Sequence, residues 1–162
     1  MANKREVIKN LHEKYIKETS AKAVVINRTV FLCHITNIVL KEIIKYCDCG
    51  SKVYINTRVL KHIYDKKPAE EFEFLINNIH MIVKYPDYIY ENKNPKRGDL
   101  CLIKQIKGEN YFCSVEIIED EIPDTEESEK NIHIATAFRI RKVNYLNAYK
   151  FLWSWKDGTP PS

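Results

Sequence analysis

Glycine and proline are scarce in this chain, with four and six in 162 residues. That excludes collagen-like and low-complexity organisation, which need far more of both. Long apolar runs are missing too. The most apolar window, Val30 to Leu40, is interrupted by His34, Thr36 and Asn37 and is too short to span a bilayer, so no membrane partner is expected. The opening residues, Met1-Ala2-Asn3-Lys4-Arg5-Glu6, pass straight into an amphipathic pattern without the apolar stretch of a secretory signal. Cysteine does not form an even-numbered framework. The five (Cys33, Cys47, Cys49, Cys101, Cys113) are odd in number, and three lie inside apolar runs where a reduced thiol acts as a small core side chain. A reducing, cytoplasmic location is therefore expected. Cys47-Asp48-Cys49, with His34 upstream, lacks zinc-knuckle spacing and a second ligand pair, so neither a metal nor another cofactor is expected. No internal repeat stands out.

What is present describes a soluble globular protein: 44% hydrophobic residues and 30% charged ones spread along the chain. This length buries one core and a small satellite, not two full domains. Basic residues exceed acidic ones by four overall, but the distribution is uneven. Eight of the 22 acidic residues, and no basic one, fall between Glu116 and Glu129, leaving 26 basic against 14 acidic residues elsewhere. Such an imbalance favours a polyanionic partner such as RNA or DNA, through steering and counterion release; a merely well-solvated surface is the plainer reading.

Periodicity supplies the elements. Val7, Ile8, Leu11, Tyr15 and Ile16 form one helical stripe over residues 4 to 17. Ala21 to Ile26 reads as a strand, Asn27-Arg28 as a turn, and residues 35 to 46 return to helical spacing before Gly50. Val53-Tyr54-Ile55 is a short strand candidate, followed by a helical turn or two from Arg58 to Tyr64. Pro68 opens a helix with Glu70 and Glu71 in its first turn, where negative charge complements the macrodipole, and Phe72, Leu75, Ile76, Ile79 and Val83 on one face. After Pro86 the period shortens to that of strands at 88–90, 100–106, 111–118 and 132–140, the second and third joined by the hairpin signal Lys107-Gly108-Glu109-Asn110. The acidic stretch 119–130 is then expected to be a long, mobile connection. Tyr145, Ala148, Tyr149 and Leu152 mark a short C-terminal helix. The fold class is thus α+β, with N-terminal helices packed on a four-stranded antiparallel sheet.

Within Ile132 to Arg141, strict alternation puts Ile132, Ile134, Phe138 and Ile140 on one face and His133, Arg139 and Arg141 on the other. Ala135 and Ala137 leave room for an anion beside those polar groups. Thr136 breaks the pattern, since its hydroxyl points into the apolar face unless a bulge turns it out. His133 and Arg139, about 20 Å apart at ~3.3 Å per residue, cannot share one phosphate.

Four strings in order, Val59-Leu60-Lys61-His62-Ile63, Tyr85-Pro86-Asp87-Tyr88-Ile89, Ala135-Thr136-Ala137-Phe138-Arg139 and Leu152-Trp153-Ser154-Trp155-Lys156-Asp157-Gly158, resemble the phage-associated nucleases of the barnase, EndoU, colicin E5/D and RelE group. The likeness spans about residues 50 to 156. It implies a nuclease domain at 50–156, behind a helical extension at 1–49 and before a tail at 157–162. The implied activity is metal-free cleavage of intracellular RNA by a phage or mobile-element toxin or effector, using the substrate's 2′-hydroxyl as nucleophile. An immunity or host protein is a further partner that the resemblance leaves open.

On that reading His62 transfers a proton, because an imidazole titrates near neutral pH. Arg139 offers a two-pronged fork to phosphate oxygens. Thr136 matches the hydroxyl position of the family's last strand, and Lys61, Lys66, Lys104 and Arg141 are the candidate phosphate contacts. The plainer readings are a surface helical His62, a strand Arg139 paired with the acidic segment, and solubilising lysines. A different class of function also fits: an inactive nucleic-acid- or protein-binding phage accessory module.

Overall fold

The computed structural model describes residues 4–94 and 98–154; Trp155 and the tail expected at 157–162 lie outside them. Helix α1 (Lys4–Leu11) runs into a π-helical turn, His12–Ile16, and the predicted stripe buries Ile8, Leu11 and Ile16. The strand expected at 21–26 does not form. Val24 and Ile26 are exposed, and Thr57 takes the local backbone groups instead: its hydroxyl donates to the Ile26 carbonyl at 2.6 Å and accepts from the Arg28 amide at 2.8 Å. The first strand is β1 (Thr29–His34).

Helix α2 (Asn37–Ile43) starts where the Thr36 hydroxyl accepts from the Val39 amide at 3.4 Å. β2 (Lys52–Asn56) leads directly into α3 (Thr57–Lys66), capped by the Asn56 side chain, which accepts from the Val59 amide at 2.9 Å. α4 (Ala69–Lys84) begins after Pro68 with Glu70 and Glu71 in its first turn, and buries all five predicted apolar positions together with His80 and Ile82. Strands β3 (Tyr88–Glu91), β4 (Leu100–Ile106), β5 (Glu109–Glu121) and β6 (Ser128–Arg139) follow. Lys107 and Gly108, with φ of 51° and 82°, form the two-residue turn between β4 and β5 that matches strand twist.

The sheet has seven strands rather than four, in the order β1-β2-β6-β5-β4-β3-β7, where β7 is Lys150–Ser154. All neighbours are antiparallel except β2 and β6, which run parallel. The expected C-terminal helix is a single 3-10 turn, Tyr145–Ala148. The residues after it pair with β3, setting Trp153 beside Ile89 and Phe151 beside Tyr90. β1 comes from before residue 50 and pairs with β2 after it, and Ile8, Leu32, Val39 and Ile43 join the same core as Val53, Ile132 and Leu75.

That core fills the space between the helices and one face of the sheet. The other face carries a smaller cluster of Cys101, Ile103 and Phe112, against which Tyr90, Phe138, Tyr145 and Tyr149 pack. The acidic stretch is mostly strand, not connection: only residues 122–127 link β5 to β6. The link is closed by a 3.0 Å bond from the Ile122 amide to the Glu127 carbonyl and by Thr125, whose hydroxyl donates to the Ile122 carbonyl at 2.9 Å. No helix among the described residues is long and apolar enough to cross a membrane.

Candidate active site

The β5–β6 pairing decides which side chains meet. Ser114 lies opposite Thr136 but Val115 lies opposite Ile134, so Ala135 is an extra residue in β6. Alternation is therefore broken where the sequence pattern treats it as strict. Before the extra residue, Ile132 and Ile134 enter the helix-side core while Asn131 and His133 face the other way. After it, Ala137 enters the core, so Arg139 faces the helices, and Thr136 and Phe138 face away. The shared face predicted for His133, Arg139 and Arg141 does not exist, and the bulge that Thr136 required does.

On the face away from the helices, His133 is held from two directions. Its ring stacks on Tyr54 of β2, centroids 5.3 Å apart and planes at 19°, because the parallel register sets these residues side by side. Its Nε2 lies 2.7 Å from Asp120 Oδ2. A carboxylate only accepts, so in the neutral imidazole the ring proton sits on Nε2 and the lone pair on Nδ1. The Asn131 amide donates to the same Asp120 oxygen at 2.8 Å and also reaches Glu129 Oε1 at 3.4 Å, to which the Lys52 ammonium donates at 3.0 Å. Burial raises the Asp120 pKa, but the hydrogen bonds from Asn131 and His133 and the nearby imidazole outweigh it, holding the carboxyl below its ordinary 3.8. The chain Lys52–Glu129–Asn131–Asp120–His133 thus spans three strands. Glu116, directly across from His133, adds another carboxylate to this face.

The residues singled out from sequence are dispersed. His62 is exposed on α3, between Arg58 and Lys66, also exposed and each one helical repeat of four away. Lys61 is buried, donating to Asp65 at 2.6 Å and to the Ser20 carbonyl at 2.8 Å, so its ammonium serves the fold. Lys104 donates to the Tyr85 carbonyl at 2.8 Å, and burial, opposed by Asp87, lowers its pKa. Arg141 and Arg139 both turn to the buried Glu71 of α4, at 2.5 Å and 4.0 Å from its Oε1. Thr136 alone of the predicted set shares the open face with His133.

Sequence reading missed Asp120 and Tyr54, the partners of His133, and Asn131 and Lys52, which extend the network through Asp120 and Glu129. A signal was available for one of them: a hairpin centred between residues 124 and 125 opposes Asp120 to Glu129, placing the acidic run beside Asn131 and His133. The link to Tyr54 depends on a parallel pairing between strands about eighty residues apart in sequence, which no local pattern encodes.

No curated protein and no solved structure matches the chain. A family model does, over residues 34–144, which is more than half of the chain and takes in every strand from β2 to β6. By that match the chain belongs to the phage-Barnase-EndoU-ColicinE5/D-RelE like nuclease3 family.

Proposed function

We propose that this nuclease-family protein cleaves RNA without a metal, on the sheet face away from the helices, as a phage or mobile-element effector. The observation that carries the reading is the His133–Asp120 pair at 2.7 Å, stacked on Tyr54. With the proton fixed on Nε2, Nδ1 takes the 2′-hydroxyl proton as the 2′-oxygen bonds to phosphorus, and Asp120 stabilises the imidazolium that results. The bond from phosphorus to the 5′-oxygen breaks. That oxygen takes a proton from water, and His133 returns its own to the hydroxide, leaving a 2′,3′-cyclic phosphate. Thr136, on the same face, donates to a charged phosphate oxygen, while Lys52, held by Glu129 at 3.0 Å, meets the RNA backbone further along the strand.

The exposed Arg58 and Lys66 of α3, with His62 between them as a hydrogen-bonding group, give the RNA backbone a track outside the acidic hairpin. This assigns His62 and Lys66 to binding and His133 to proton transfer. The competing assignment, proton transfer by His62 with Arg139 as clamp, is weakened because Arg139 turns to the buried Glu71 of α4, 4.0 Å away.

The test is incubation of the purified protein with total RNA in EDTA. His133→Ala should lose about 10²-fold or more in cleavage with RNA binding retained, the usual worth of general acid or base help. His62→Ala should weaken binding and leave single-turnover cleavage at saturation near parental. The reverse result would return catalysis to α3. RNA binding without cleavage under any condition would make the protein a binding module.

A further inference from the structure

On the face away from the helices, the aromatic row does not stop at Tyr54. Phe31 of β1 lies directly opposite Tyr54, which in turn lies beside His133, so the register lines up three rings across three adjacent strands. Ring centroids are 5.8 Å apart from Phe31 to Tyr54 and 5.3 Å from Tyr54 to His133, the first contact edge-on and the second stacked. A second edge contact, with His34 at 5.1 Å, steadies the Phe31 ring, and His34 is itself tied to the Ser51 hydroxyl at 2.8 Å. Exposure falls along the row. Phe31 is 42% exposed, Tyr54 is half-buried and His133 is 6% exposed. Single exposed apolar side chains are ordinary on a protein surface. Phe31 differs in two respects: its row ends on the proposed base, and β1 is the outermost strand of the sheet.

An RNA whose 2′-hydroxyl reaches His133 must place its bases somewhere on this face. Two ring-to-ring steps from the imidazole, Phe31 offers a held, exposed aromatic surface on which an unpaired base of any identity can stack. Duplex RNA cannot use it, because its bases are stacked on one another and its outside is ribose and phosphate. Nor can a duplex follow the slope from an exposed ring down to a recessed one. We infer that Phe31 is a base-stacking subsite, within one nucleotide of the bond being cut, that restricts the substrate to RNA unpaired at that position; this rests on the proposed cleavage at His133. Phe31 precedes the span matched by the family, so the subsite comes from β1 rather than from the matched domain. The same strand leads to the cationic track. Just before β1, the carbonyl of exposed Arg28 accepts from the Thr57 amide at 2.9 Å, next to exposed Arg58, so an RNA strand passing Phe31 around this edge meets Arg28 and then α3.

The experiment measures binding of the full chain to an oligonucleotide that lacks 2′-hydroxyls, so that it is not cut, and carries one 2-aminopurine among abasic sites. An all-abasic strand and an RNA duplex are the comparisons. Stacking on Phe31 should quench the 2-aminopurine fluorescence, and the single base should tighten binding about tenfold over the all-abasic strand, the usual worth of one stacked base. Phe31→Ala should lose the quench and the tenfold gain together, and Phe31→Trp should keep both. Binding of the all-abasic strand and of the duplex should be the same in parent and Phe31→Ala, which also shows that the variant is folded. On cleavable RNA, Phe31→Ala should raise KM about tenfold with kcat near the parent's, and the parent should cut a single strand faster than the same strand annealed to its complement. The inference falls if the quench persists in Phe31→Ala, if the base adds no affinity, if Phe31→Ala weakens duplex and single strand alike, or if paired and unpaired RNA are cut equally. A parent that stacks the base through Phe31 yet cuts no RNA removes the catalytic reading and leaves the subsite. A parent that cuts RNA while Phe31→Ala binds and cuts as it does removes the subsite and leaves the catalytic reading.

Discussion

The two halves of β6 handle charge in opposite ways. Glu129, Asn131 and His133 face away from the helices and form a continuous network in which Asp120 and Glu129 are each met by a donor: Asn131 and His133 for the first, Lys52 for the second. From residue 137 onward the arginines face the helices and converge on one buried carboxylate, Glu71. One extra residue, Ala135, separates the regimes. The first half keeps a titratable ring in a fixed orientation, as proton transfer requires. The second fixes α4 to the end of the sheet, while the arginines stay half exposed and spend only part of their donor capacity. Residue type alone would have assigned the arginines to phosphate and overlooked the histidine; side-chain direction reverses that ranking.

Deleting Ala135 is the most direct way to break this division. Restored alternation would drive Phe138 toward the space now filled by buried Ala137 and turn Arg139 outward. Overpacking and lost core contacts should cost about 3 kcal/mol or more, read as a fall in the urea midpoint. A deletion variant as stable as the parent would show that the shift carries no structural weight.

Removing Arg141 tests the second half alone. Among the described residues, Glu71 would keep only Arg139, at 4.0 Å, as an ion-pair partner. Arg141→Ala should therefore destabilise by about 1–3 kcal/mol, the cost of leaving a buried polar group under-satisfied. Adding Glu71→Gln should recover much of the loss, and the double-mutant cycle measures how much. RNA binding should respond weakly to Arg141→Ala if the α3 track carries the backbone. Parental RNA affinity should itself fall about tenfold or more between low and physiological salt, as a few phosphate contacts displace counterions. A flat salt response would favour a protein partner.

The parts legible in the sequence are those whose physics is local. α4 announced itself through Pro68, two acidic residues in its first turn and five apolar positions at helical spacing, and all five are buried. The Lys107-Gly108 turn was legible through Gly108, whose φ of 82° a residue without a Cβ adopts freely. β7 was misread as helix because Tyr145, Ala148, Tyr149 and Leu152 fit a helical period by chance, while pairing with β3 decided the outcome. The acidic hairpin was misread as loop because its carboxylates look unsatisfiable in a strand until Lys52, Asn131, His133 and Ser128 are seen beside them. The position of the candidate site depended on Ala135 and on a parallel neighbour from β2. Both are tertiary facts.

The smallest expected effect concerns acid, and it isolates the first half of β6. The Asp120 carboxyl is held below its ordinary 3.8 in the fold. The unfolded chain therefore binds the proton more readily, and stability rises with pH across that interval. The contribution should be complete above about pH 5 and disappear as pH falls through the folded value, below 3.8. Because Asp120 is partly exposed, it should amount to no more than about 1 kcal/mol. Comparing urea unfolding of the parent and Asp120→Asn from pH 7 down to pH 3 measures it. The parent's advantage at neutral pH should narrow toward acid, while Arg141→Ala, at the other end of the strand, should leave that narrowing unchanged. A difference between parent and Asp120→Asn that does not change with pH would mean that the charge on Asp120 does not hold His133, and the proposed role of the pair would lose its electrostatic basis.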